Sequence, residues 1–491
     1  MKLGQAASLM GADWSSISAE MFEKQITDYS IDSRSLGAGE LFFALSQQDY
    51  VRAGFNGEFA DGHQFIAGAF ERGAIAAVAR ADRVRGDSQL EAMKDRLLLV
   101  EDAIAALQLL AHRVYSAWGG QVVAITGSAG KTTAKELTAH VLKSTGRRVL
   151  KSERNYNNGL GLPLSVLKMV SQGSRPADFD LTVLEMGMSS PTHEIRRLVQ
   201  ITPPDVGVEL MVAPVHLEYL GTIENIAAAK AELIEGLKPG GTAILNADDA
   251  LVMKMREKHD GRILTFGIDN QADVMATEIN ASLGRIGFRL RTPTGEVIAT
   301  LPMSGRHNLS NALAAAAVGT SFDMSAGEIA AALRTAKPPK MRGEVLDFAA
   351  GFTVIDDSYN SNPKSLLNMV QTMAEASRDG QRLMVIAGEM LELGPDEVAL
   401  HRDAGIDIAE LGIDVLWGVR GLAREMVTAA ASAGLPSTWF FESSAEAASE
   451  AINYVGEGDL ILIKGSRGVA TDKVVAALKE HFPLIGEDTR T

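Results

Sequence analysis

The sequence predicts an α/β protein of three domains built on mostly parallel sheets, and three observations predict it. Short apolar runs alternate with helical stretches along most of the chain. A strand, a glycine-bearing loop and a helix follow one another in "VVAITGSAGKTTAKELTAHVLKSTG", residues 122 to 146. Finally, "RTAKPPKMRGE" (334 to 344) breaks the alternation with two prolines and four cations just after the helical pattern "SAGEIAAALR". At 491 residues the chain exceeds what one hydrophobic core covers, and its 46% hydrophobic content can fill several.

Taken in order, "LLLV" at 97 to 100 reads as a strand and "EDAIAALQLLAHRVYSAW" as the helix after it, so the first boundary falls near residue 104. Next come the strands "VVAIT", "LTVLEMG" and "TAILNADD", with helices such as "AKELTAHVLKST" between them. Beyond the proline-rich break, "FTVIDD", "RLMVIAGE", "DVLWGV", "STWFF" and "DLILIKG" are again separated by helices and form another α/β sheet. The expected domains are therefore 1–104, 105–338 and 339–491. No short-period repeat and no low-complexity segment appears.

A formal net charge of -15 argues against a nucleic-acid partner, which needs a basic face to displace counterions, but leaves room for a local basic pocket holding a small anion. With no cysteine, disulfides, thiolate zinc sites and a cysteine nucleophile are excluded. No run reaches the roughly 18 apolar residues of a membrane span, and the N-terminus has no continuous apolar core, so a soluble cytoplasmic protein is expected.

In "AITGSAGKTT", Gly127 permits a tight turn and Gly130 lets backbone amides close on a phosphate. Lys131 can reach the outer phosphates, and the Thr132 hydroxyl can bind Mg²⁺ at the start of the following helix. The whole run Gly127, Ser128, Ala129, Gly130, Lys131, Thr132 and Thr133 is the candidate nucleotide-binding segment. It departs from the general GxxxxGK[ST] form, because Ile125 stands where the first glycine belongs.

The shorter "TGxxGKT" loop is similar to that of the Mur ligases, ATP-dependent amide-forming enzymes of bacterial cell-wall synthesis, and of the related folylpolyglutamate synthetases. "NYNNGLGLPLSVL" (155 to 167), "LEMGM" (184 to 188), "PVHLEYLGTIENIAAAKAELIEGL" (214 to 237), "GRHNLSNALAAAAVG" (305 to 319), "VIDDSYNSNP" (354 to 363), "GEMLELG" (388 to 394) with "LH" at 400 to 401, and "LIKGSRG" (462 to 468) resemble the same family. "IDSRSLGAGELFFAL" (31 to 45) and "DGHQFIAGAFERGA" (61 to 74) resemble its nucleotide-sugar-binding domain. "DDSYNSNP" and "NYNN" point within the family to the members that add D-alanyl-D-alanine to UDP-N-acetylmuramoyl-tripeptide.

The resemblance implies an N-terminal α/β domain for the UDP substrate, a central P-loop ATPase-like sheet and a C-terminal Rossmann-like domain, with ATP and Mg²⁺ as cofactors and a monomer as the working form. It implies that Lys131, Glu185, His216, Lys230, Arg342 and Asp357 serve the reaction. Glu185 would share Mg²⁺ with Thr132. His216 and Lys230 would organise a second ion, Lys230 as a carbamate, an oxygen donor that suits hard Mg²⁺ better than an ammonium does. Arg342 would meet the ATP phosphates, Asp357 the ribose or metal network, and Asn308 the adenine. Tyr359, Asn360 and Asn362 would position the dipeptide, Asn157 and Asn158 the tripeptide end, and Ser33 and Arg34 the UDP end. Lys464 and Arg467 fit a late contact to peptide or phosphate.

Blander readings stand beside these. Glu185 is also what a solvated strand end looks like, and Lys230 beside Glu232 is also what a surface helix carries. The asparagines also suit turns and caps, and "KGSRG" a structural turn. Ala129 stands where many relatives have asparagine, and His193 where glycine is more usual. Two rival functions follow: a Mur-type ligase adding a single diamino acid or glutamate, or a P-loop ATPase switch.

Overall fold

The computed structural model describes residues 1–153, 155–188, 193–214, 220–378 and 380–485; His216 lies outside them. The chain divides into two compact units, Met1–Ala213 with Ile223–Thr265, and Pro214–Thr222 with Phe266–Thr491. Among the described residues both units are mixed α/β.

In the first unit, β1 (Tyr29–Ser30), β2 (Leu41–Phe43), β3 (Ala76–Arg80) and β4 (Leu97–Val100) lie side by side in that order, all parallel. The expected strand at 97 to 100 is thus β4. The expected helix is Ala103–Trp118, started by the Asp102 side chain accepting from the Ala105 amide and ended at Gly119, whose φ of 69° suits a left-handed cap.

A further parallel array follows: β5 (Gln121–Thr126), β6 (Val149–Lys151), β7 (Leu181–Glu185), β8 (Val206–Glu209) and β9 (Thr242–Asn246), in the order β9-β8-β5-β7-β6. The chain leaves β5 toward one side of it and returns after β7 on the other, the reversal that opens a ligand crevice at the carboxyl ends of strands in such sheets. Every residue of β7, β8 and β9 is buried, as a parallel sheet covered on both faces requires.

β10 (Arg262–Gly267) spans the boundary between the units, and its Phe266 and Gly267 run parallel to Val274 and Met275. In the second unit β11 (Val274–Ser282), β12 (Arg285–Thr292) and β13 (Gly295–Leu301) form an antiparallel meander that the alternation did not predict. Only alternate residues of β12 are buried, so it carries none of the continuous apolar runs that mark the other strands.

The C-terminal sheet contains β14 (Glu344–Asp347), β15 (Thr353–Asp357), β16 (Arg382–Gly388), β17 (Val415–Val419), β18 (Ser437–Phe441) and β19 (Asp459–Lys464), in the order β14-β15-β19-β16-β17-β18. Only β14 runs antiparallel to its neighbour. Along β19, Leu460 and Leu462 enter one core with Met369 and Val385, whereas Ile461 and Ile463 enter the opposite core with Trp417 and Val474. That two-sided burial explains the unbroken "LILI", each side chain contributing about 2 kcal/mol.

Candidate active site

The phosphate loop follows directly from β5. Gly127 has φ 153°, and a Cβ there would come within 2.8 Å of the Leu210 Cβ, so the turn admits no side chain. Gly130 caps the helix Lys131–Lys143 at φ 85°. The Ser128 amide donates to Met211 O at 2.8 Å, and its hydroxyl donates to Ala213 O at 3.1 Å. Lys131 Nζ donates to Gly127 O at 2.8 Å, folded back over the loop, and Thr133 is buried behind it.

Glu185, at the carboxyl end of β7, is buried rather than a solvated strand end. Thr132 Oγ1 donates to its Oε2 at 2.9 Å, and Asn157 Nδ2 donates to its Oε1 at 2.8 Å. Its own amide donates to Ser152 Oγ at 3.0 Å, and buried Lys135 holds the Ser152 carbonyl at 2.7 Å. A single carboxylate therefore joins the phosphate loop to the "NYNN" segment. Asn158 is used differently: its Oδ1 accepts from the amides of Leu160 and Gly161 at 3.1 and 2.9 Å, starting the helix Gly161–Leu167.

The Thr132 hydroxyl and Glu185 carboxylate are hard oxygen donors at a helix N-terminus, the donor chemistry that suits Mg²⁺. Among the described residues no three His, Asp or Glu side chains gather into a metal cage.

Lys230, on the helix Ile223–Glu235, is 2% exposed, which removes its reading as surface charge. Glu209, the last residue of β8, is fully buried, and neither carboxylate oxygen has a hydrogen-bond partner. Burial pushes the Glu209 carboxyl up to about 8 and the Lys230 ammonium down to about 7, while the charge of each draws the other the opposite way. Sequence reasoning passed over Glu209, although the rule that selected Glu185, an acid closing an apolar strand, applies equally to "VGVE". His193 adopts φ 55°, the left-handed region where glycine is least strained, and its ring pairs with buried Glu232.

The second unit holds its own cluster. Asp357 ends β15 in register with Lys464, the end of β19. Lys464 Nζ donates to Asp357 Oδ2 at 2.6 Å and to Asn360 O at 2.9 Å. The Arg342 guanidinium lies 4.1 Å from the Tyr359 ring centroid, a cation–π contact. Asn362 caps the helix Pro363–Ala376 by accepting from the Ser365 amide at 2.9 Å. Asn308 is buried, and its Nδ2 donates to Ser304 O at 2.8 Å.

The loops around this cluster are tied to one another. Buried His401 accepts from the Met390 amide through Nε2 at 3.0 Å, which fixes its proton on Nδ1, donated to Glu397 O at 2.7 Å. The Leu391 amide donates to Ser466 Oγ at 2.9 Å, and that hydroxyl donates to Ser361 O at 3.4 Å. Arg467 is paired with Asp472 at 3.0 Å. Far from either cluster in sequence, exposed Arg34 forks onto Asp32 at 2.9 and 2.8 Å, with Ser33 between them.

Comparison with known proteins places this geometry. Residues 125–319 match the Mur ligase middle domain, and residues 341–467 match the domain described as Mur ligase, glutamate ligase domain. The UDP-N-acetylmuramoyl-tripeptide--D-alanyl-D-alanine ligase of Bacillus subtilis is 32% identical over 450 residues, covering 91% of this chain and 92% of that protein. A crystal structure of MurF from Acinetobacter baumannii superposes with a TM-score of 0.80 at 30% identity, covering 93% of this chain and 94% of that one. The MurF ligase of Thermotoga maritima in complex with ADP gives a TM-score of 0.75 at 25% identity, covering 95% of this chain and 99% of that one. No helix among the described residues is long and apolar enough to cross a membrane.

Proposed function

The chain belongs to the Mur ligase family, and from that premise we propose that it joins D-alanyl-D-alanine to UDP-N-acetylmuramoyl-tripeptide at the expense of ATP. The observation that carries this reading is the Glu185 carboxylate shared between Thr132 of the phosphate loop and Asn157 of the "NYNN" segment. A nucleotide switch has no need of that link, whereas a ligase must bring the γ-phosphate to the carboxylate it activates.

A carboxylate is a poor electrophile, so the γ-phosphoryl group of ATP is first transferred to the terminal carboxylate of the tripeptide. The acyl phosphate is then attacked by the dipeptide amine, and the tetrahedral intermediate releases phosphate. The burden on the protein is charge neutralisation and positioning. Lys131 and the amides of Gly127, Ala129 and Gly130 cradle the phosphates, with Ser128 fixing the loop through Met211 and Ala213. Thr132 and Glu185 would hold Mg²⁺, which neutralises phosphate charge when bound. Asn157 orients Glu185 and meets the reacting end of the tripeptide.

Residues 1–104 take the UDP end through Ser33 and Arg34, residues 105–338 bind ATP, with Asn308 toward the adenine, and residues 339–491 bring Arg342 to the phosphates and Asp357 to the ribose. Tyr359, held by Arg342, and Asn360, whose carbonyl is held by Lys464, position the dipeptide. His216 belongs to the same reaction centre by resemblance. For Lys230 the resemblance implies a carbamate, and the burial that lowers its ammonium to about 7 supports that reading by supplying the neutral amine that adds to CO₂. The enzyme works as a monomer in the cytoplasm, where ATP and the soluble UDP precursor meet.

The test is product analysis by mass spectrometry with ATP, Mg²⁺ and the two substrates, supplied singly and together. UDP-muramoyl-pentapeptide formed only with both supports the reading. A product carrying one added amino acid would transfer it to the rival ligase, and ATP hydrolysis indifferent to both substrates would transfer it to a switch.

A further inference from the structure

The loop after β17 is built around a residue in an uncommon conformation. Arg420 has φ 68°, in the left-handed region that side chains seldom adopt, and the next residue, Gly421, has φ 50°. The turn closes on Glu389, directly after β16: a Cβ on Gly421 would come within 2.0 Å of Glu389 Oε1, and that oxygen accepts from the Leu422 amide at 2.9 Å. The Arg420 amide donates to Phe441 O at 2.8 Å. Glycine at 420 would take up this turn without strain, so an arginine there points to a use for its side chain.

That side chain is directed. Arg420 Nη1 donates to Gly468 O at 2.7 Å, and Nε lies 3.9 Å from Glu389 Oε2. The guanidinium therefore leans back across β16 to the loop after β19, with half of the side chain still exposed. Leu391 lies over the same glycine: a Cβ on Gly468 would stand 3.0 Å from Leu391 Cδ1. Gly468 is thus flanked by an apolar side chain and a guanidinium, both open to solvent. Ser466 ties this loop to its neighbours, accepting from the Leu391 amide and donating to Ser361 O, so Gly468 stands in one row of loops with Tyr359 and Asn360.

The dipeptide carries an amine at one end, a carboxylate at the other and two methyl groups between. Extended, it spans roughly 7 Å, about one and a half of the roughly 4.8 Å steps between neighbouring strands. With its amine between the ends of β15 and β19, beside Tyr359 and Asn360, its carboxylate falls over β16, the strand that Arg420 leans across. A single amino acid in the same place stops roughly 3.5 Å short. Arg467 is the other cation of this loop, but its Nη1 is paired with Asp472 Oδ2 at 3.0 Å and lies 3.8 Å from Met341 Sδ. We propose that Arg420 receives the carboxylate of D-alanyl-D-alanine, with Leu391 against the terminal methyl group, and that this contact selects a dipeptide over a single amino acid. The proposal rests on the ligase reading and extends it to the far end of the amine substrate.

The experiment compares D-alanyl-D-alanine with D-alanyl-D-alaninamide, which keeps the shape and loses the negative charge, as substrates for the wild type, Arg420→Gly, Arg420→Lys and Arg467→Ala, with the products weighed by mass spectrometry. Glycine suits the left-handed turn, so Arg420→Gly removes the guanidinium and keeps the fold. The wild type is expected to prefer the acid by roughly ten- to a hundredfold in kcat/KM, carried by KM for the dipeptide. Arg420→Gly should raise that KM by a similar factor without moving KM for ATP and should use acid and amide alike, while Arg420→Lys should recover part of the preference. A wild type indifferent to the amide overturns the proposal, as does a preference that survives in Arg420→Gly or that is lost only in Arg467→Ala. Absence of any pentapeptide from the wild type overturns the ligase reading and this proposal with it, whereas pentapeptide made with an unchanged preference overturns this proposal alone.

Discussion

The carboxyl ends of two mostly parallel sheets carry polar clusters that differ in how their charged groups are paired. At the ends of β5 and β8, buried oxygens of Thr126 and Glu209 have no partner, and Gly127 and Gly130 hold the phosphate loop in conformations that side chains avoid. At the ends of β15, β16 and β19 the charged groups are paired: Lys464 closes on Asp357 and Asn360, His401 receives the Met390 amide, and Ser466 links the Leu391 amide to the Ser361 carbonyl, although the Ser361 and Thr471 hydroxyls have no partner. The first region keeps valences open for phosphate, metal and charge. The second closes its lysine and carboxylate on each other, so that Tyr359 and Asn360 are held before any ligand arrives. Losing a residue in the first should therefore cost catalysis with little stability, and losing one in the second should cost stability and substrate affinity together.

The largest expected effect comes from Lys131→Ala, which removes the cation over the phosphates: pentapeptide formation should fall about a thousandfold while the thermal midpoint stays close to that of the wild type. A large drop in the midpoint would break the comparison by showing that the loop is a structural element. Next, Glu185→Gln keeps the shape but replaces the acceptor of the Thr132 hydroxyl with an amide. Turnover should drop roughly a hundredfold and more Mg²⁺ should be needed for half-maximal rate, read from an Mg²⁺ titration of phosphate release.

In the second region, Asp357→Ala leaves the Lys464 ammonium buried and unpaired. Denaturant unfolding should show a loss of about 3 kcal/mol, together with a raised KM for D-alanyl-D-alanine, and an unchanged midpoint would show that the cluster is not closed in the way described. The smallest effect is expected from Arg34→Ala. Its pair with Asp32 is exposed, so the melting curve should not move, while KM for the UDP substrate rises severalfold. Equal KM values for wild type and variant would remove Arg34 from the UDP site.

Much of this was legible in the sequence because parallel strands buried on both faces must be continuous apolar runs. "LLLV", "VVAIT", "FTVIDD" and "DLILIKG" all became strands where expected. The meander from Val274 to Leu301 escaped, since its half-exposed strands interleave polar residues and only the turns "SLGR" and "PTGE" marked it. At the site, "GKTT" and Glu185 were readable because their chemistry is local to one strand, loop and helix. Lys230 was ambiguous because helical spacing does not say which side a neighbouring sheet covers, and "AAAKAELIEGLK" looks the same exposed or buried. Glu209 was missed because its meaning depends on the register of β8 against β5, a long-range pairing that no local pattern encodes. Asn158 and Asn362 serve helix starts, the backbone role that asparagine plays as readily as ligand contact.

The central claim is that the phosphate loop and the "NYNN" segment, joined through Glu185, serve phosphoryl transfer to the carboxylate of the tripeptide in a single reaction. It is tested most directly by carrying out the reaction with UDP-muramoyl-tripeptide labelled with ¹⁸O in its terminal carboxylate and weighing the phosphate released. Transfer through an acyl phosphate leaves one ¹⁸O in the phosphate for each pentapeptide formed. Unlabelled phosphate accompanying pentapeptide would mean that ATP is cleaved by water and not by the substrate, and would contradict the account.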